Sequence, residues 1–214
     1  VDGYTQRATD VIDIDRWCPD DRFAIYPEGT REKSLWISPQ PAPMPFLAGG
    51  HRYLFKLASH RYPSQFWCEV IAYHLGCLMG VPVPPAYAAW QSGTRCSAAL
   101  IEWFYREDES RYESGTGYMK MMIPDFDVDK GRQHNIITVL DVLTGIDPTM
   151  VPDMVRMLVF DALIGNTDRH QENWGIVYRH GSQPLPRLAP AFDNGTSLGH
   201  EIVDSRIAGF LDHP

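Results

Sequence analysis

The densest group of chemistry-bearing residues is the run Gly165-Asn166-Thr167-Asp168-Arg169-His170-Gln171-Glu172-Asn173. It follows a helical apolar pattern and precedes a short predicted strand, a loop position in which functional groups are often held on a rigid scaffold. Twenty residues further on (193 − 173) stands Asp193, just past a second predicted strand. A hairpin of that length brings its two ends back together. Asn173 and Asp193 are therefore expected close to one another, with Asp168 on the adjoining loop. Such a set suits phosphoryl transfer. One carboxylate orients a hydroxyl and accepts its proton; the other, with the amide oxygen, offers Mg2+ the hard oxygen ligands it prefers. The plain alternative is a loop whose Asp and Asn side chains only cap turns. A second chemical alternative takes Asp168, His170, Asp193 and His200 as ligands of a metal-dependent hydrolase.

The elements that must position these residues fall into two halves. Residues 23–26 and 34–38 read as short strands around a turn that contains Gly29, and residues 39–50 form a Pro-, Ala- and Gly-rich loop. Residues 51–58 carry the aromatic and branched content of a strand, with Lys56 near its end. A helix is expected from about residue 64 to 79, with Ser64 as N-cap and Phe66, Val70, Tyr73 and Cys77 as its buried face. Gly80 and Pro82 stop it. Residues 86–91 and 96–105 pair around the turn Ser92-Gly93-Thr94. The first hundred residues thus predict a small sheet with one helix packed on it.

Residues 106–133 are polar and flexible in character and are taken as a lobe boundary or hinge. Helical patterns follow at 134–144 and at 152–164, where Pro152 suits the first turn. Strands at 174–178 and 187–192 complete a hairpin, the second made irregular by Pro190. The fold class expected is α+β, divided into residues 1–105, the hinge 106–133, and a mainly helical part at 134–214.

Bulk properties narrow the function classes. With 27 acidic against 19 basic residues the chain carries a net charge of −8, which argues against a primary nucleic-acid binder, since phosphate neutralisation needs a basic face. No run of eighteen apolar residues is present, so no membrane span is expected. The opening Val1-Asp2-Gly3 shows no leader pattern, and without a methionine it is not read as the natural start. Cys18, Cys68, Cys77 and Cys96 are scattered and form no C-x-x-C pair, which implies reduced thiols and a cytoplasmic setting.

The segment Leu163–Asn173, followed by Leu188-Ala189-Pro190-Ala191-Phe192-Asp193, resembles the HipA-like serine/threonine kinases, bacterial toxin-type relatives of protein and phosphoinositide kinases. That family shows Asp-x-His-x-x-Asn in its catalytic loop and a Leu-Ala-Pro-x-Tyr-Asp-like segment carrying a metal-binding Asp. The resemblance covers roughly residues 23–200, and longer relatives continue with further helices. It implies a two-lobed protein-kinase-like fold, a β-rich N-lobe with one helix and a mainly helical C-lobe, that uses ATP and Mg2+. It implies Asp168 as catalytic base, Asn173 and Asp193 as Mg2+ ligands, and His170 as a brace of the loop. Lys56 then corresponds to the lysine that contacts ATP phosphates, with Glu69 as its partner.

By the same resemblance, backbone groups near Glu102, Trp103 and Phe104 meet the adenine edge, and the turn with Gly29, Thr30 and Lys33 covers the phosphates. That turn departs from the family, which often has a Ser-Gly-x-x-Pro-Lys-like segment; here it reads Glu28-Gly29-Thr30-Arg31-Glu32-Lys33, without proline before Lys33. The implied acceptor is a hydroxyl, foremost a protein serine or threonine, and the implied partners are ATP, that substrate, and an antitoxin or regulatory protein. A lipid or small-molecule kinase of the same fold and a nucleotide-binding pseudokinase stand beside this reading.

Overall fold

The structure, a computed structural model, describes residues 6–20, 33–181, 186–202 and 206. The expected strand at 23–26 and the candidate phosphate-loop residues Gly29 and Thr30 lie outside the described residues. The chain forms two compact units, one within Val1–Leu75, Pro84–Trp103 and Asn194–Pro214, the other within Gly76–Val83 and Phe104–Asp193.

The first unit is built on a six-stranded sheet. Its strands are β1 (Ile12–Asp13), β2 (Cys18–Pro19), β3 (Lys33–Ile37), β4 (Arg52–Leu57), β5 (Ala86–Gln91) and β6 (Cys96–Glu102), in the order β1-β5-β6-β4-β3-β2. β1 runs parallel to β5 and the other pairs are antiparallel. In β6, Ala98, Ala99 and Leu100 are all fully buried in succession, so both faces of this central strand are covered. In β4, Phe55 and Lys56 are likewise buried in succession and point to opposite faces. The segment before β3 is pinned to the sheet by an ion pair between Arg52 and the buried Asp20 at 2.7 Å and by the edge of Trp17 against Tyr53.

The helix α1 (Phe66–Met79) follows β4 and ends as expected at Gly80, whose φ of +66° is the left-handed conformation glycine adopts without cost. Phe66, Val70 and Tyr73 are buried, as their spacing predicts. Cys77 is not; it is exposed. The buried surface instead includes Cys68, Glu69 and Ala72, so one carboxylate sits among the apolar positions. A helical period alone does not reveal this, because Glu69 reads as a solvated residue until its partner is known.

The second unit holds β7 (Ser110–Ser114), α2 (Gly115–Met122), α3 (Ile136–Ile146), α4 (Val151–Ile164), β8 (Gly175–Arg179) and β9 (Pro186–Leu188). The strands form an antiparallel sheet in the order β7-β8-β9. The region 106–133, read as polar and flexible, thus contains a strand and a helix. In β7 the charged Arg111 and Glu113 face outward while Ser110, Tyr112 and Ser114 face inward, an alternation that the surrounding charges mask. α2 opens on Gly115-Thr116-Gly117, a poor helix former by propensity. Packing overrides it: a Cβ on Gly115 would run into the Trp174 ring and the Gln171 carbonyl. α3 is started by a capping box in which Asn135 accepts from Ile137 and Thr138. α4 ends at Gly165, φ +65°, which turns the chain into the Asp168 loop. Met154, Met157, Phe160 and Ile164 form its buried stripe, joined by Asp161.

No helix among the described residues is long and apolar enough to cross a membrane. Replacing Gly115 by alanine is expected to lower stability by about 1–3 kcal/mol, because neither the indole nor the backbone carbonyl can move aside cheaply. Urea unfolding of Gly115→Ala beside wild type, with Gly145→Ala as a control whose added Cβ makes only an ordinary contact with Met122, measures this.

Candidate active site

In the second unit, the loop after α4 is organised by a buried guanidinium. Arg169 Nε and Nη2 make parallel bonds to the two oxygens of Asp161, at 2.9 and 2.8 Å, with both side chains only 6% exposed. Arg169 Nη1 donates to the carbonyl of Asn173 at 2.7 Å and also to the carbonyl of Phe192. One side chain therefore holds the end of the Asp168 loop and the residue immediately before Asp193. Asn166 adds a third bond to Asp161 at 3.1 Å, and its own oxygen accepts from the Asp168 N–H at 3.1 Å. This fixes the backbone at Asp168 while leaving its side chain 51% exposed. A carboxylate held by its backbone and open to solvent can meet a substrate hydroxyl.

Asn173 is buried, and its Nδ2 donates to the Asp168 carbonyl at 2.7 Å. The amide nitrogen is thereby pinned and the oxygen becomes the group available to a ligand. The His170 ring braces the turn: Nδ1 lies 3.3 Å from the Glu172 N–H and Nε2 lies 3.2 Å from Asn173 Nδ2. Both neighbours are donors, so a neutral imidazole, which accepts at only one nitrogen, makes one of these two bonds. Asp193 adopts φ +56°, a left-handed conformation sparsely populated by residues with a Cβ and best tolerated among them by Asp and Asn. An amide oxygen and a carboxylate are hard ligands, so Asn173 and Asp193 fit Mg2+ by donor chemistry. Among the described residues no three His, Cys, Asp or Glu side chains gather as a metal cluster.

In the first unit, Lys56 Nζ meets Glu69 Oε1 at 2.7 Å, with side-chain exposures of 6% and 3%. The other oxygen of Glu69 accepts from the Asn194 N–H at 2.9 Å. Gln65 Nε2 and Cys68 Sγ reach the carbonyls of Gly195 and Ser197, so the start of α1 grips the segment that begins right after Asp193 in the chain. Lys33 lies directly across from Lys56 in the β3–β4 pair. Opposed residues of an antiparallel pair share a face, so two ammonium groups are presented on one side of the sheet.

The segment expected to meet adenine has some of its backbone groups engaged within the first unit. The N–H of Glu102 donates to Pro85 at 2.8 Å and that of Trp103 to Arg52 at 3.0 Å, while the Trp103 carbonyl is 2.8 Å from His51 Nε2. These two N–H groups are already spent within the first unit. Phe104 belongs to the second unit, where its ring stacks on Phe192 with centroids 5.2 Å apart. The Glu102 carboxyl is raised above the usual carboxylate range, chiefly by burial, with His51 and the Tyr53 hydroxyl acting in the opposite direction.

The residues that sequence reasoning missed are Arg169 and Asp161. A signal existed: Asp161 stands between Met157 and Ile164 on the apolar stripe of α4, and an acid at a core position demands a cation nearby.

With this geometry in place, comparison with known proteins defines the class. The fold is that of kinases: a proinflammatory kinase of Helicobacter pylori, CtkA, matches with a TM-score of 0.74 over 95% of this chain and 67% of that one, at 20% sequence identity. The HipA-like C-terminal domain model matches residues 27–206, and the chain belongs to that family. It is also similar to Putative kinase Y4dM of Sinorhizobium fredii, with 39% identity over 155 residues. The match takes in 67% of this chain and 37% of that protein, so this chain spans well under half the length of that relative.

Two outcomes follow from the buried groups. Arg169→Ala strands Asp161 and is expected to cost about 3–5 kcal/mol; Arg169→Lys, which keeps the charge but loses the fork, should recover only part of it in chemical denaturation. For Glu102 the raised pKa means that the folded state binds the proton more tightly than the unfolded state. Its stabilising effect is present below the unfolded value and is lost as pH rises through the folded one. Glu102→Gln should therefore raise the melting temperature at pH 8 relative to wild type, with the difference shrinking toward pH 4.

Proposed function

We propose that the chain is an Mg2+- and ATP-dependent kinase that transfers the γ-phosphoryl group to a hydroxyl, foremost of a protein serine or threonine. The observation that carries this reading is the buried Lys56–Glu69 pair. Removing two charges from water costs several kcal/mol per ion and yields little net stability, so such a pair is poorly explained as a structural device. It is well explained as a means of holding an ammonium group ready for phosphate oxygens, with Lys33 as a second cation on the same face.

In this reading Lys56, oriented by Glu69, steadies the nucleotide phosphates. Asn173 and Asp193 hold Mg2+, which when bound neutralises charge on the phosphates. Asp168 accepts the proton of the acceptor hydroxyl as its oxygen bonds to the γ-phosphorus and the bond to the ADP oxygen breaks. Arg169 and Asn166 set the backbone from which Asp168 acts. The similarity to proteins described as kinases supports the reaction class. The four cysteines are free thiols, which fits a reducing, cytoplasmic setting.

Titration calorimetry of Mg-ATP into wild type, Asp193→Ala and Asp168→Ala, with transfer of labelled phosphate as a second readout, tests the proposal. Wild type should bind. Asp193→Ala should lose at least about tenfold in Mg-ATP affinity, and Asp168→Ala should bind normally while transfer falls by roughly 10²–10⁴. Full transfer by Asp168→Ala would remove the assigned base.

A further inference from the structure

The second unit contains a cavity of about 530 Å³ that none of the roles assigned above uses. One wall is the loop itself, through Thr167 and His170. The others are Leu158 and Ala162 of α4, and Lys130 and His134 from the segment before α3. Thr167 precedes Asp168 directly, so whatever occupies the cavity lies one residue from the proposed base.

The charge of the lining is decided by two facts. Its one acid, Asp161, is spent: both oxygens are engaged by Arg169, with a further bond from the Asn166 amide. Its ammonium group, Lys130, is exposed and pairs with no carboxylate among the described residues. The nearest acid in sequence whose partner is known, Asp127, binds the Lys130 N–H and pairs with Arg132 at 3.4 Å. His134 Nε2 accepts from Trp174 Nε1 at 3.0 Å, so the neutral ring carries its proton on Nδ1 as a donor. Burial and the nearby His170 hold its pKa below the ordinary histidine value, which favours the neutral ring. With Asp161 and Arg169 cancelling, the lining carries one uncompensated positive charge, that of Lys130, beside the His134 Nδ1–H donor, in a protein whose net charge is −8.

We propose that this cavity is an acceptor subsite for an acidic peptide segment, taking a carboxylate side chain next to the residue to be phosphorylated. The term acceptor rests on the kinase reading above; the preference for an acidic peptide rests on the cavity alone. A volume of this size has room for an acidic side chain together with its neighbours in a peptide, and the apolar surface of Leu158 and Ala162 can cover the methylenes of Glu or Asp.

The test is equilibrium binding of two fluorescein-labelled serine peptides, identical except that Asp flanks the serine in one and Lys in the other. They are measured against wild type, Lys130→Ala and Lys130→Glu, with thermal melts to show that the variants are folded. The acidic peptide should bind wild type at least about tenfold more tightly than the basic one. Lys130→Ala should weaken it several-fold and Lys130→Glu by roughly tenfold or more. Equal binding of the two peptides, or an unchanged preference in Lys130→Glu, overturns the proposal. So does displacement of the acidic peptide by inorganic phosphate at concentrations similar to the peptide's own Kd, which would mark a free-anion site. The assay contains no nucleotide, so a failure of the kinase reading appears separately, in the Mg-ATP titration.

Discussion

Everything in the second unit that could perform chemistry hangs on one planar cation. Arg169 has five N–H donors in a fixed fork, and the structure directs them to a carboxylate on α4, to the end of the Asp168 loop and to the residue before Asp193. Lysine has neither the reach nor the planarity to serve all three at once. The cost of burying Asp161 and Arg169 is offset only because the pair is bidentate and its remaining valences are filled. The same bonds that make the pair tolerable inside the protein also fix the ends of the Asp168 loop.

The first unit solves a related problem by different means. Lys56 is a point charge on a flexible stem, and on its own it would swing or shift its pKa when buried. Glu69 answers both needs because one oxygen takes the ammonium and the other takes a backbone N–H from Asn194. The carboxylate is held at two points and cannot rotate away. In both units these buried polar groups are supported by main-chain partners, which do not change with substitution of neighbouring side chains.

Much of this was legible in the sequence. The helix ends at Gly80 and Gly165 and the strand around Lys56 follow from turn chemistry and residue pattern, whereas the pairing of Lys56 with Glu69 was expected only from the family resemblance, and Lys33, expected in the turn, opens β3 instead. What was hidden has physical causes. β7 was masked because its outward residues Arg111 and Glu113 sit among further charges, and α2 because Gly115 and Gly117 argue against a helix until the Trp174 ring is known to lie on the first and the Glu113 side chain on the second. The Arg169 clamp was missed because a guanidinium inside a polar motif looks solvated, although Asp161 on the core face of α4 called for a buried cation. At the segment expected to meet adenine, the N–H groups of Glu102 and Trp103 bond to the carbonyls of Pro85 and Arg52, pairings that the residue pattern alone does not reveal.

The bond from the Asn194 N–H to Glu69 spans 125 residues of sequence. Its consequence is one of timing. During synthesis the first strands and α1 leave the ribosome long before Asn194 exists, so for most of translation Glu69 has only half of its final anchorage and Lys56 an unsteady partner. The lysine site is completed by residues that follow the Asp168 loop and Asp193 in order of synthesis. A nascent chain therefore cannot hold the full arrangement until Asn194 has been made, and a truncated product that ends before residue 194 lacks it permanently.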